Sequence, residues 1–158
     1  PMPTYLILIG FVLGGVVRGI IVGFLVLLTS LIFTDITVQN IPLTLLVVVM
    51  TAFLFSIAGF LNALFADNFD DINIVPTFIL TPLIYLGGVF YSVDLLSNTW
   101  QIVSKINPLL YMVNAFRYGM IGVSDINVQF ALIMITFFIS IFFALAYYLL
   151  KKGYGIRT

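Results

Sequence analysis

The sequence predicts an all-α fold, a polytopic bundle of transmembrane helices with four spans and a re-entrant or interfacial helical region. Composition and charge spacing carry that prediction. Hydrophobic residues fill 63% of the 158 positions and charged residues only 8%, against roughly 45–50% and 25% in soluble domains. Mean hydropathy is +1.25. The charges are so sparse that Asp35 and Asp67 bracket 31 uncharged residues, Asp71 and Asp94 bracket 22, and Asp125 and Lys151 bracket 25. A helix needs about 20 apolar residues to cross a hydrocarbon core.

The first apolar stretch, residues 5–33, is broken only by Arg18. As one helix it would be about 44 Å long at ~1.5 Å per residue, more than a ~30 Å core requires. An arginine at mid-bilayer is costly and snorkels to an interface. The stretch therefore reads as two pieces, with 4–14 in or near the interface and a span near 16–34. Gly15, Gly19 and Gly23 recur every fourth residue and line one helix face. Such a face suits close packing against another helix of the chain, or dimerisation.

A second span is expected over 43–65, entered through Pro42, where the missing N–H costs little. Ala52 and Ser56 give it a small-residue face. The polar stretch ADNFDDIN follows, with Asp67, Asp70 and Asp71. It lacks the glycine and closing glutamate of a calcium loop, so no metal site is expected. It reads as a solvated connector or a partner contact.

Residues 74–93 contain Pro76, Pro82, Gly87 and Gly88, which predict a kinked or broken span. The hydroxyls of Thr77 and Thr81 are placed to donate to carbonyls that the prolines release. Tyr85, Phe90, Tyr91 and Trp100 gather toward the far end, as in an aromatic belt. The region 94–127 mixes Asp94, Lys105, Arg117 and Asp125 with apolar residues and reads as re-entrant or interfacial. Within it Asn107 is a cap, Pro108 opens a helix, and Gly119 and Gly122 offer stops. That helix of about a dozen residues is ~18 Å long, too short to cross. A last span covers 128–150, followed by Lys151, Lys152 and Arg157.

Those three cations place the C-terminus in the cytoplasm. Four spans then put the N-terminal end and the aspartate loop on the same side, with 94–127 outside. If 107–123 crossed as a fifth span, the N-terminal end would flip. Arg117, beside Tyr118, has two readings: attraction of an anionic headgroup or substrate near an exit, or snorkelling and pairing with Asp94 or Asp125.

Absent residues narrow the chemistry. Without His or Cys, no zinc, haem or iron–sulfur site, cysteine nucleophile or Ser-His-Asp triad can be built. No lysine sits in a phosphate-binding loop motif. There is no basic block for nucleic acid. Residue 1 is Pro and no signal peptide precedes the apolar pattern, so the chain is expected to be part of a longer protein.

Several segments taken in order are recognisable: P-M-P-T-Y (1–5), G-V-V-R-G (15–19), F-D-D-I (69–72), V-P-T-F-I-L-T-P (75–82), P-L-I-Y-L-G-G-V-F-Y-S (82–92), Trp100, N-P-L-L-Y (107–111) and R-Y-G (117–119). Their order and spacing resemble the type-2 ABC exporter permeases, close to the bacterial YadH-type subgroup, over essentially the whole chain. The resemblance implies a multi-pass protein of the bacterial inner membrane. It matches the C-terminal portion of a six-span permease, with the first two spans missing. It also implies alternating access driven by a separate ABC-type ATP-binding subunit, which holds ATP and Mg; no cofactor belongs to this chain, which is no enzyme itself.

A second permease copy and membrane lipid are the other implied partners. Residues 1–14 would be the cytoplasmic coupling element. Pro3, Thr4 and Tyr5 are its contact candidates, joined by Asp67, Asp70 and Asp71. Tyr91, Trp100, Arg117 and Tyr118 would mark the external exit.

Two rival readings remain. An ion-coupled secondary transporter or channel normally places ionisable groups within its spans, and the deep spans read here as holding only Ser, Thr, Asn62 and Tyr. The other is a purely structural membrane anchor, for which a proline-broken segment and a re-entrant helix are odd features.

Overall fold

The computed structural model describes residues 3–34, 38–66 and 68–154, the side chains of Phe69 and Asp94 aside. Every regular element among them is helical. In order they are α1 Thr4–Phe33, α2 Ile41–Phe65, α3 Phe69–Ile74, a π-helical segment Val75–Leu80, α4 Thr81–Leu86, a 3-10 turn Val93–Leu95, α5 Asn98–Lys105, α6 Pro108–Ile121 and α7 Val128–Lys151. The run Val47-Val48-Val49 lies inside α2, although β-branched residues are mediocre helix formers in water. In hydrocarbon every N–H must bond within its own segment, and that requirement overrides propensity.

Three helices, α1, α2 and α7, are long and apolar enough to cross a membrane, which makes this a multi-pass membrane chain. The fourth expected span differs from its predicted extent of 74–93. The chain is helical from Phe69 to Leu86, continuous through α3, the π-helical segment and α4, and it stops at Gly87. Pro76 and Pro82 leave the helix unbroken. Its register shifts to π between them, and the Thr81 amide and hydroxyl both donate to the Pro76 carbonyl, the hydroxyl at 3.1 Å. Gly87 and Gly88 end the helix, Gly88 at φ 73°, a value that favours glycine.

Pro76 has no N–H for the Ile72 carbonyl, its α-helical partner four residues back. The Asn62 side-chain amide of α2 fills that place, donating to Ile72 O at 2.8 Å. This polar residue in the last turn of α2 thus repairs a proline defect in the next helix. Asn62→Leu is expected to cost about 0.6–1.7 kcal/mol, the usual range for such a bond in a membrane. In a Pro76→Ala background, where the helix regains its own donor, the cost should shrink. Reversible unfolding of the four variants of that cycle measures it.

The two pieces expected at 4–14 and 16–34 lie in one helix. α1 is one unbroken helix from Thr4 to Phe33. Leu8, Val12 and Val16 form a continuous buried stripe on it, in one cluster with Ile57 and Leu61 of α2 and Ala146 and Leu150 of α7. Residues 4–14 are therefore packed along the bundle. α1 and α2 run antiparallel: a Cβ at Gly15 would lie 2.0 Å from Ser56 Oγ, and one at Gly19 3.2 Å from Ala52 Cβ. Beyond Gly19 the helices diverge, and nothing lies within 4 Å of a Cβ at Gly23.

α6 joins the beginnings of two long helices. The Tyr111 ring lies 5.9 Å from that of Phe130, in the first turn of α7. At its other end Gly119 meets Thr44, in the first turn of α2, and its carbonyl accepts from Asn40 N at 2.9 Å. Gly119, expected as a stop, is thus a close-contact position inside the helix. The stop is Gly122, left-handed at φ 75°.

Candidate functional site

The expected coupling residues gather at one end of the bundle. Pro3 caps α1 in extended conformation and accepts from Leu6 N at 3.0 Å, Thr4 is half-buried, and Tyr5 is 50% exposed. The antiparallel packing sets this end beside the C-terminal end of α2, where the Phe65 and Tyr154 rings lie 5.8 Å apart. The aspartate loop follows α2 directly. Asp70 is exposed, while Asp71 accepts from Asn68 N at 3.0 Å in a capping box that starts α3. Asp67 and Arg157 lie outside the described residues.

At the opposite end the structure builds a polar clamp. Arg117 donates through Nη2 to the Gly88 carbonyl at 2.6 Å and through Nη1 to Asp125 Oδ2 at 3.3 Å. The two side chains are 22% and 13% exposed. Asp125 Oδ2 also accepts from Val93 N at 3.4 Å. Behind them Asn114, fully buried, accepts at Oδ1 from Asp125 N at 2.9 Å and from Ser124 Oγ at 3.3 Å, and donates to Leu110 O at 2.9 Å. The clamp ties the turn after α4, the helix α6 and the start of α7 together. Of the residues expected at an exit, Arg117 is engaged in this clamp; Trp100 and Tyr118 stand 52% and 40% exposed, and Tyr91 is half-buried.

Two roles at this end escaped the sequence reading. Asn107 caps α6 at Leu109 N, 3.0 Å, as expected, but its amide also donates to Leu83 O at 2.6 Å, taking a carbonyl left over at the end of α4. Asn114 gave no signal, because a lone asparagine in an apolar helix looks the same whether it faces solvent or a network. Tyr111 donates to Lys105 O at 2.5 Å, and burial raises its phenol above the ordinary value.

Between the two ends lies an apolar groove with a cavity volume of about 1130 Å³. It opens where α1 leaves α2, and α6 closes one side through Met112, Phe116 and Met120. Gly15, Gly19 and Gly23 all line it, so the small-residue face packs on α2 at its lower two positions and opens to the groove at the third. Arg18 lines it too and is exposed. Lying between the Gly15–Ser56 and Gly19–Ala52 contacts, Arg18 is level with the middle of α2. That is ~18 Å from either end of α2. The helix runs through this point without interruption.

Comparison with known proteins places these features. The ABC-2 type transporter family profile matches residues 1–121. The chain is 47% identical over its full length to the inner membrane transport permease YadH of Escherichia coli (strain K12), and to that of Shigella flexneri. It spans 62% of the length of those curated relatives. It is 25% identical over 106 residues to nodulation protein J of Rhizobium leguminosarum bv. viciae, covering 67% of this chain and 41% of that protein. No solved structure matches.

Proposed function

Because this chain belongs to the ABC-2 type transporter family, we propose that it is membrane-spanning permease sequence of an ATP-driven exporter of the bacterial inner membrane. A separate ATP-binding subunit, carrying ATP and Mg, drives it, and a second permease copy completes the path. The carrying observation is the continuity of α1. One unbroken helix runs from the exposed Pro3–Tyr5 end to the groove at Gly15–Gly23. A push at its N-terminal end is transmitted along a hydrogen-bonded rod to the wall of the groove. Asp70, beside the same end, supplies a second contact for the partner.

One observation favours the ion-coupled alternative: a charge lies level with the middle of α2, at Arg18. A guanidinium stays protonated at any physiological pH, so it holds an anion but relays no proton.

Full-length permease should co-purify with the ATP-binding subunit encoded beside it and show vanadate-sensitive ATPase activity. Tyr5→Ala should weaken that association while leaving the permease folded, since the ring is half exposed. If no ATPase associates and the permease alone carries an ion flux in liposomes, the channel or secondary-transporter reading replaces this one.

A further inference from the structure

Arg18 makes no hydrogen bond, ion pair or cation–π contact among the described residues. A lone guanidinium in hydrocarbon is expensive by at least ~2.5–3.5 kcal/mol, and Arg18, level with the middle of α2, is ~18 Å from either end of that helix. Around it the groove is mostly apolar, with Ile20, Phe24, Val48, Phe55 and Phe116; of the hydroxyl residues in the lining, Thr44, Thr51 and Ser56, the first and last donate to Asn40 O and Val12 O. The arrangement is a single cation set in a largely apolar channel, open on one side.

We propose that this groove binds an anionic lipid, its phosphate head held by Arg18 and its hydrocarbon laid along the wedge between α1, α2 and α6. The guanidinium fork matches two phosphate oxygens in parallel. The cavity of about 1130 Å³ slightly exceeds the ~300–1,000 Å³ of ordinary small-molecule pockets, a size for a lipid rather than a small polar solute. A second copy of this chain cannot supply the counter-charge at that depth. All six acidic residues are aspartates, and none lies in α1, α2 or α7. A membrane phospholipid brings both the missing anion and the apolar filling. Whether that lipid is cargo or a resident part of the permease, its site is the same.

The test is native mass spectrometry of the full-length permease released from phosphatidylcholine vesicles containing a minority of phosphatidylglycerol, without nucleotide or ATPase subunit. Phosphatidylglycerol should be retained in preference to phosphatidylcholine. Arg18→Gln should lower that retention by about tenfold or more, as expected for loss of a charge-assisted pair, and Arg18→Lys should restore part of it. Gly23→Leu should also lower it with the cation intact, because the position is sterically open yet lines the groove. Both variants should unfold no more easily than the parent, which separates lost binding from lost fold. Equal retention of the two lipids, undiminished retention in Arg18→Gln, or a crosslink from position 18 to a carboxylate in the remainder of the permease would each overturn the proposal. Failure to recruit an ATPase would leave it standing, since no step of the measurement involves one.

Discussion

Gly15→Leu is expected to separate α1 from α2 and destabilise the bundle by about 2–4 kcal/mol. A Cβ at position 15 would fall 2.0 Å from Ser56 Oγ and 2.8 Å from Ser56 Cβ, so even the first added atom has nowhere to go. The clash also removes the bond from Ser56 Oγ to Val12 O, 2.9 Å, which joins the two helices. Without a hydrophobic force between helices in lipid, this close backbone approach is what holds them together. Ser56→Gly in the same chain should recover part of the loss by vacating the space. Gly23→Leu should cost little, as nothing lies within 4 Å of that position. Reversible unfolding in mixed detergent and SDS ranks the variants; equal cost at positions 15 and 23 would mean that the glycine stripe acts elsewhere than in the α1–α2 contact.

Arg117→Ala is expected to lose assembly and export together, at a cost of about 2–4 kcal/mol. Removing the guanidinium leaves the Gly88 carbonyl and the Asp125 carboxylate with unmet partners in a site where both pair members are mostly covered. A double-mutant cycle with Asp125→Ala should give a coupling energy of about 0.5–3 kcal/mol. Arg117→Lys should rescue only part, because one ammonium cannot reach the carbonyl and the carboxylate in the geometry the fork allows. If export falls while unfolding is unchanged, Arg117 serves an anion at the exit and the clamp is secondary. The geometry favours the clamp: of the two readings the sequence left open, pairing with Asp125 is the one the structure contains.

Much of the fold was legible because membrane helices announce themselves through composition. The second and last spans were expected at 43–65 and 128–150 and lie at Ile41–Phe65 and Val128–Lys151, since charges and prolines bound them. The facing small residues, Gly15 and Gly19 against Ala52 and Ser56, could also be read as candidate faces, but not as each other's partners. The irregular segment around Pro76 and Pro82 was legible, with Thr81 donating to a carbonyl that the prolines release; the help that comes from outside the segment was not. In the folded chain the proline defect is met by Asn62 from another helix. Packing on Ile57, Leu61, Ala146 and Leu150 holds the first half of α1 against the bundle, and its arginine lines a groove.

The sequence by itself determined that this is a multi-pass helical membrane chain, and it carried the resemblance to its family. Those properties follow from which residues are present and how far apart the charges fall. Only the tertiary structure decided that Arg18 stands level with the middle of α2 without a partner among the described residues, that Arg117 is a clamp, and that Asn107 and Asn114 hold one end together. Each depends on which groups from distant segments come within hydrogen-bonding reach. A polar side chain in an apolar helix has the same local sequence signature whether it meets a carbonyl, a carboxylate or an open groove.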